Sequence, residues 1–426
     1  MEGCLSLGLV DPLTAIVVSF CLLGLMLYKR VNLGITLNST AILLALLSLN
    51  WWEIPNIIYA SVNPLTLEGQ LTISVVLATF GIMWLSQLYK ETGFIKNLSE
   101  SLSKIIKNSK IVSSVLPAVI GLLPVAGGAL MSAPIVDSEA EKLKLKPEKK
   151  AYVNIWFRHI ILPVYPLSLF IIITVALTGT TIASVILRQI PIVTVMVIIG
   201  YAAGFWKVSN PKSETENRAK NESRSELKAF LKAFSPILAT IVAAIFVGLL
   251  NYNLSRRGVD VLIATFLGLI VLGVISNSSF KAIANPLRNL VVYDVTCATY
   301  GAFLLRSVMN AAGISEIFSP LVASGSIDTT VLLAVFPTVL GFLTGSPSGA
   351  VAISISMLGG VLTFSPKTAV LIYMGAYLGY VIAPTHLCFT FTADYFKSPL
   401  GKVYKYLIPS FIGTFAAVLL LYFLPF

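Results

Sequence analysis

Leu116-Pro-Ala-Val-Ile-Gly-Leu-Leu-Pro-Val-Ala-Gly-Gly-Ala-Leu-Met-Ser-Ala-Pro134 and Phe336-Pro-Thr-Val-Leu-Gly-Phe-Leu-Thr-Gly-Ser-Pro-Ser-Gly-Ala-Val-Ala-Ile-Ser354 are apolar stretches interrupted by Gly, Pro and Ser. Each reads either as one long kinked helix or as a re-entrant hairpin. Lys-rich segments flank the first stretch on both sides, which favours the hairpin, with turns at Gly127–Gly128 and at 345–349. Unwound backbone at membrane depth is tolerated only against protein or a watery cavity. There its free N–H and C=O groups can hold an ion or a charged solute. The competing reading is helix packing, since Gly345 and Gly349, like Gly375 and Gly379, form G-x-x-x-G pairs.

The two stretches are related at a constant offset of 220. Val115, Pro117, Val119, Gly121 and Leu123 match Val335, Pro337, Val339, Gly341 and Leu343, and Ala78-Thr-Phe-Gly81 matches Ala298-Thr-Tyr-Gly301. Around them the chain is strongly apolar. Of 426 residues 56% are hydrophobic and 12% charged, against a usual charged share of about 25%. A membrane span needs about 20 mostly apolar residues. Ten crossings are expected near Asp11–Tyr28, Gly34–Asn50, Gln70–Tyr89, Val153–Leu177, Thr181–Trp206, Ala233–Leu250, Val259–Ile275, Leu290–Ala312, Lys367–Pro384 and Tyr404–Tyr422. The N-terminus lacks the basic start and cleavage site of a signal peptide, so the first is read as a retained span.

The net charge of +11 reads as topology. Cytoplasmic loops collect Lys and Arg. Most of the 30 basic residues fall at 29–30, 90–110, 142–150, 207–232, 281–288 and 397–405, which alternation of the crossings puts on one side. The segments at 51–69, 179–180 and 313–330 hold none. Both termini are therefore expected outside a cell membrane. Five crossings per half is odd, so the second half enters from the opposite side. The expected fold is an all-α polytopic membrane protein of two inverted repeats, each about five transmembrane helices plus one re-entrant hairpin. The repeats are 1–206 and 233–426, joined by a basic cytoplasmic linker at 207–232.

Few polar groups remain inside. The two histidines, His159 and His386, each follow an interrupted stretch, and Pro163, Pro166 and Pro384 break their helices. Intramembrane ionisable residues commonly mark a pathway, although a buried His also serves as a hydrogen-bonded structural residue. Arg158 either snorkels to the surface or faces inward as a counter-charge for a carboxylate. Asp394 is either a proton or cation site or the polar end of its helix, and Arg306 and Asp294 serve the scaffold. The expected substrate and ion contacts are Gly127, Gly128, Ser132, Asn154, Arg158, His159, Gly345, Ser346, Ser348, Gly349, Thr385, His386 and Asp394.

Other chemistries lack their signatures. There is no H-E-x-x-H and no G-x-x-x-x-G-K-[ST]. The scattered Cys4, Cys21, Cys297 and Cys388 form no C-x-x-C pair, and spacing gives no metal-ligand cluster. No basic run is interleaved with aromatics as nucleic-acid binding requires. A channel, or an intramembrane enzyme using His159 and His386 on a lipid, are the competing functions.

Gly121-Leu-Leu-Pro-Val-Ala-Gly-Gly-Ala-Leu-Met-Ser-Ala-Pro134, Tyr152-Val-Asn-Ile-Trp-Phe-Arg-His159 and Pro384-Thr-His-Leu-Cys388 resemble domain-of-unknown-function family 401, a family of integral membrane proteins. It is grouped with gluconate, citrate and dicarboxylate permeases in the ion transporter superfamily. The resemblance runs over most of the chain. It implies secondary transport of a small solute, often an organic anion, coupled to sodium or protons, with no other cofactor. By position it implies an elevator in which 111–206 and 331–422 move against a scaffold of 11–90 and 233–312. It also implies a homodimer, as related transporters often are. The Ser-Asn-Thr type motif of the dicarboxylate members has only loose counterparts in Ser132 and 346–348, which leaves the substrate unassigned.

Overall fold

Proline and glycine divide the apolar chain, and the lengths of the resulting helices sort them into spans and hairpins. The computed structural model describes residues 9–29, 31–124, 128–209, 220–250, 254, 257–313, 324, 328–359 and 362–424. Gly127, and part of the basic linker, lie outside the described residues. The first half contains α1 (Pro12–Tyr28), α2 (Leu33–Ser48), α3 (Ile54–Ser61), α4 (Leu67–Glu91), α5 (Phe94–Ile105), α6 (Ser109–Gly121), α7 (Gly128–Lys142), α8 (Pro147–Ile160), α9 (Leu169–Thr178) and α10 (Ile182–Phe205). The second contains α11 (Lys220–Leu250), α12 (Val259–Ile275), α13 (Phe280–Ala284), α14 (Leu290–Ala311), α15 (Thr329–Thr344), α16 (Pro347–Leu358), α17 (Pro366–Ile382), α18 (Leu387–Tyr395) and α19 (Leu400–Phe423). Among the described residues helix is the only regular secondary structure.

The element order repeats. Moved by 220 positions, α6 lands on 329–341, α8 on 367–380 and α10 on 402–425, which are the places of α15, α17 and α19. Thr79 and Thr299, matched at that offset, touch each other, with Thr299 Oγ1 donating to Thr79 Oγ1 at 3.4 Å.

Six helical units among the described residues are long and apolar enough to cross a membrane. The 25 residues of α4 reach about 37 Å at the helical rise, beyond the ~30 Å hydrocarbon core. The 13 residues of α6, 15 of α7, 16 of α15 and 12 of α16 reach only about 18–24 Å each. Within each pair the two helices pack against one another. The interrupted stretches are therefore hairpins of short helices and not single kinked spans. The second turn is tighter than expected from sequence. Gly345, at φ +59, closes α15 in the left-handed region. Ser346 caps α16 by accepting from the Gly349 N–H at 3.3 Å, so Ser348 and Gly349 already belong to the helix.

Burial sorts the spans. In α10 and α19 only 22% of the apolar window is buried, against 67% for Pro147–Thr178 and 78% for Pro366–Tyr395. The first two lie mostly exposed on the outside of the bundle, while the broken helices form the interior. Every residue from Ala151 to Ile160 is buried. There Trp156 Nε1 donates to the Met196 carbonyl at 3.0 Å, and the Tyr152 and Ser410 hydroxyls lie 2.7 Å apart. Each hairpin also leans on the other half, α7 on α18 and α16 on α9. The other side is built by α2 against α14 and by α4 against α12 and α14. The Lys-rich segment after Gly93 contains an amphipathic helix, α5. It buries Phe94, Ile95, Leu98 and Leu102 and packs on α11. Lys104 pairs with Glu226 at 3.0 Å, tying this segment to the basic linker.

Glycines let the broken helices meet their hairpins backbone to backbone. A Cβ on Gly121 would collide with the Arg158 carbonyl, one on Gly341 with that of Ala376 and one on Gly379 with that of Thr338. The Gly375–Gly379 pair is thus a packing motif. Gly379→Ala is expected to cost about 1–3 kcal/mol through backbone displacement, read as a lower Tm and yield. Gly24→Ala, where the added Cβ meets nothing within 4 Å, is expected to leave Tm unchanged or slightly raised.

Candidate functional site

The site forms where the two broken helices meet. Pro163 has no N–H to donate, so α8 ends at Ile160, passes through a 3-10 turn at Leu162–Val164 and resumes as α9. Pro384 disfavours helical backbone at Ala383, so α17 ends at Ile382 and α18 starts after His386. The loose ends are pinned together by the Tyr377 hydroxyl, which donates to the His159 carbonyl at 2.5 Å.

This contact brings the two histidine rings within 4.8 Å of each other, edge to face. Tyr380 packs on His386 with ring centroids 3.9 Å apart. The His159 Nδ1 lies 2.7 Å from the Ile155 carbonyl. A carbonyl only accepts, so Nδ1 carries the hydrogen and Nε2 keeps a lone pair. The His386 Nε2 is buried with no hydrogen-bond partner. Cys388, two residues after His386, completes a group in which one donor atom from each of the three side chains lies within 4.8 Å of the others. The sequence spacing led us to expect no metal-ligand cluster. Folding brings these three potential ligand side chains together from positions 227 and 229 apart.

Arg158 precedes this group on α8 and is 5% exposed, so it does not snorkel. Its Nη1 is buried without a hydrogen-bond partner. Among the described residues no ion pair reaches it. Its guanidinium lies against Gly128 at the start of α7, where any Cβ would strike it. A cavity of about 370 Å³ opens beside these residues. Arg158, His159, Tyr380, His386, Cys388, Gly345, Ser346 and Ser348 line it, together with Asn32, Asp294 and Thr299 from α14 and the entry to α2.

The structure thus gathers Arg158, His159, Gly345, Ser346, Ser348 and His386 around one cavity, with Gly128 behind the guanidinium. Thr385 is exposed and packs on Gly345. Gly349 faces Leu33. Three expected contacts are elsewhere. Ser132 donates to Asn154 Oδ1 at 2.6 Å, and Asn154 Nδ2 donates to the Ala129 carbonyl at 2.9 Å and to Thr392 at 3.2 Å. Their polar groups satisfy one another and clamp the first hairpin to α8 and α18. Asp394 is exposed in the last turn of α18, outside the cavity lining. Sequence reasoning missed Tyr380, Cys388 and Asn32, and assigned Asp294 to the scaffold alone. Tyr373, Tyr377 and Tyr380 do mark one helical face at spacings of four and three, a signal for a polar-tipped wall.

The YdaH transporter of Alcanivorax borkumensis, whose crystal structure reveals an unusual topology, has a similar fold. Its TM-score is 0.58 at 13% identity, covering 87% of this chain and 86% of that one. MtrF of Neisseria gonorrhoeae, described with a class of antimetabolite efflux pumps, gives a TM-score of 0.50 at 13% identity, covering 98% of this chain and 95% of that one. At this identity the likeness is one of fold. No curated protein sequence matches the chain. The family model described as Protein of unknown function (DUF401) matches residues 12–424, and with nearly the whole chain matched, the protein belongs to that family.

Proposed function

We propose that this protein is a secondary active transporter for a small organic anion, coupled to a sodium or proton gradient. The observation that carries the reading is Arg158, a buried guanidinium facing a cavity without a carboxylate partner. An isolated charge in a low-dielectric interior costs several kcal/mol, and an anionic solute offsets that cost by pairing with it. The fork of a guanidinium suits a carboxylate, which it holds through two parallel hydrogen bonds.

The architecture supports the same reading. Two solved proteins that share the fold are described as a transporter and as one of a class of efflux pumps. Hairpins and broken helices meeting between repeated halves are the usual setting of a transport site. In this proposal the halves sit in opposite orientations in the plasma membrane, with both termini outside and the Lys-rich segments in the cytoplasm. The parts 111–206 and 331–422 move as an elevator against 11–90 and 233–312. Membership of the ion transporter superfamily and a homodimeric assembly belong to the same proposal.

The test is gradient-driven uptake by the purified protein in proteoliposomes, across a panel of small carboxylates. Saturable uptake that collapses with the imposed sodium or proton gradient is expected. Single-channel currents would replace the reading by a channel. Turnover of a lipid that stops in His159→Ala or His386→Ala would replace it by an enzyme.

A further inference from the structure

We infer that His159, His386 and Cys388 form a binding site for a borderline-soft divalent metal ion of the zinc type, whose open fourth position faces the cavity beside Arg158. Three observations converge on it. The donor atoms already lie within 4.8 Å of one another. Tetrahedral zinc, with bonds of about 2.0–2.3 Å to nitrogen and sulfur, sets its ligands roughly 3.3–3.8 Å apart. Binding an ion would draw the three donors together by about an ångström.

The second observation is the state of the two imidazoles. His159 has its Nδ1–H engaged by the Ile155 carbonyl at 2.7 Å, the outer contact that orients a metal-bound histidine through its other nitrogen. Its Nε2 has only a 3.5 Å approach to the Tyr380 hydroxyl. The His386 Nε2 is fully buried and has no partner at all. Buried polar atoms are almost always satisfied, and a cation supplies what both nitrogens lack. The third observation is the identity of the donors. Two imidazoles and a thiolate select zinc, cobalt or copper over calcium or magnesium, which prefer oxygen.

Charge then specifies the fourth ligand. A divalent ion with one thiolate and two neutral imidazoles carries a net single positive charge, and the Arg158 guanidinium adds another next to it. Two positive charges facing one cavity call for an anion that bonds the metal with one oxygen and the guanidinium with another. A carboxylate or hydroxycarboxylate has that geometry. This role for the ion rests on the transporter reading, but binding of the ion does not.

The experiment uses the full-length protein in detergent, stripped with chelator and titrated with Co²⁺. About one Co²⁺ per chain is expected, with a thiolate-to-cobalt band in the near ultraviolet and displacement by Zn²⁺. Cys388→Ser should lose that band, keep the weaker visible bands and bind at least roughly tenfold more weakly, since losing even an outer-shell partner costs about 10–100-fold. His386→Ala should lose saturable binding, with unchanged elution on size exclusion as the check on folding. No saturable Co²⁺ binding, or a thiolate band that survives Cys388→Ser, overturns the site. Uptake measured with and without chelator separates the two readings. Uptake that persists in the metal-stripped protein removes the ion's role in holding the solute and leaves the transporter. Metal binding without uptake of any acid leaves the ion and removes the transporter.

Discussion

Arg158→Met is expected to abolish uptake and, in the ligand-free protein, to raise Tm. Both effects come from the same missing partner. A side chain that makes no ion pair loses nothing electrostatic when it is removed, and its burial penalty disappears. Replacing a buried ion pair by well-packed apolar groups of similar volume can stabilise by about 1–4 kcal/mol, and a lone buried charge has no ion-pair attraction to set against that gain. For a chain of 426 residues that corresponds to a rise of about 1–4 °C. In the loaded state the argument reverses. Losing the guanidinium strips the anion of its charged partner, an interaction that costs about 2–5 kcal/mol to remove and so roughly 30-fold or more in affinity. Arg158→Lys keeps the charge and loses the fork, so an intermediate loss of about tenfold is expected. The measurements are initial uptake rates in proteoliposomes and thermal unfolding in detergent. A Tm that falls on Arg158→Met, as it does for ordinary core substitutions, would make Arg158 a structural residue and withdraw it from the site.

Locking the second hairpin to α2 is the other change of large expected effect. A Cβ on Gly349 would sit 3.3 Å from the Leu33 Cδ1, so the two positions face each other across this seam, and paired cysteines there test whether it can be locked. In a background with Cys297→Ser, the double variant Leu33→Cys plus Gly349→Cys is expected to lose about 90% or more of its uptake on oxidation and to regain it on reduction. This follows if the hairpin must slide past α2 to carry the solute, since a disulfide forbids that motion. Gly349→Leu is expected to block uptake by bulk at the same seam while leaving membrane insertion intact. Undiminished uptake in the oxidised double variant would show that this interface does not move during transport.

What was legible in the sequence is what local chemistry writes. Pro163 and Pro384 end helices because they lack a donor and crowd the preceding residue, and the breaks stand where they were expected. Gly345 closes α15 because its φ is positive. Matched Gly121 and Gly341 showed the offset of 220, and both turn out to press on a carbonyl of the following broken helix. Less legible was whether a polar residue inside a span is satisfied. Asn154 looked like a ligand because its partner Thr392 is 238 residues away. Cys388 looked incidental because its neighbour His159 lies 229 positions earlier. The helix α5 was hidden for another reason. Its lysines dominated the reading of that segment, although its apolar residues recur at helical spacing.

The crossed support of the hairpins has a consequence for synthesis. While the ribosome is still adding the second half, α7 has no α18 to lie on, and the Asn154 amide has no Thr392 to donate to. The Arg158 guanidinium is then held beside a cavity whose second-half lining, Asp294, Thr299, Tyr380 and His386 among it, has yet to be made. The first half is therefore expected to enter the bilayer with Arg158 and one bond of the Asn154 amide not yet covered. Holding such an intermediate against aggregation and proteolysis is work for the insertion machinery, because nothing within residues 1–206 can finish the fold.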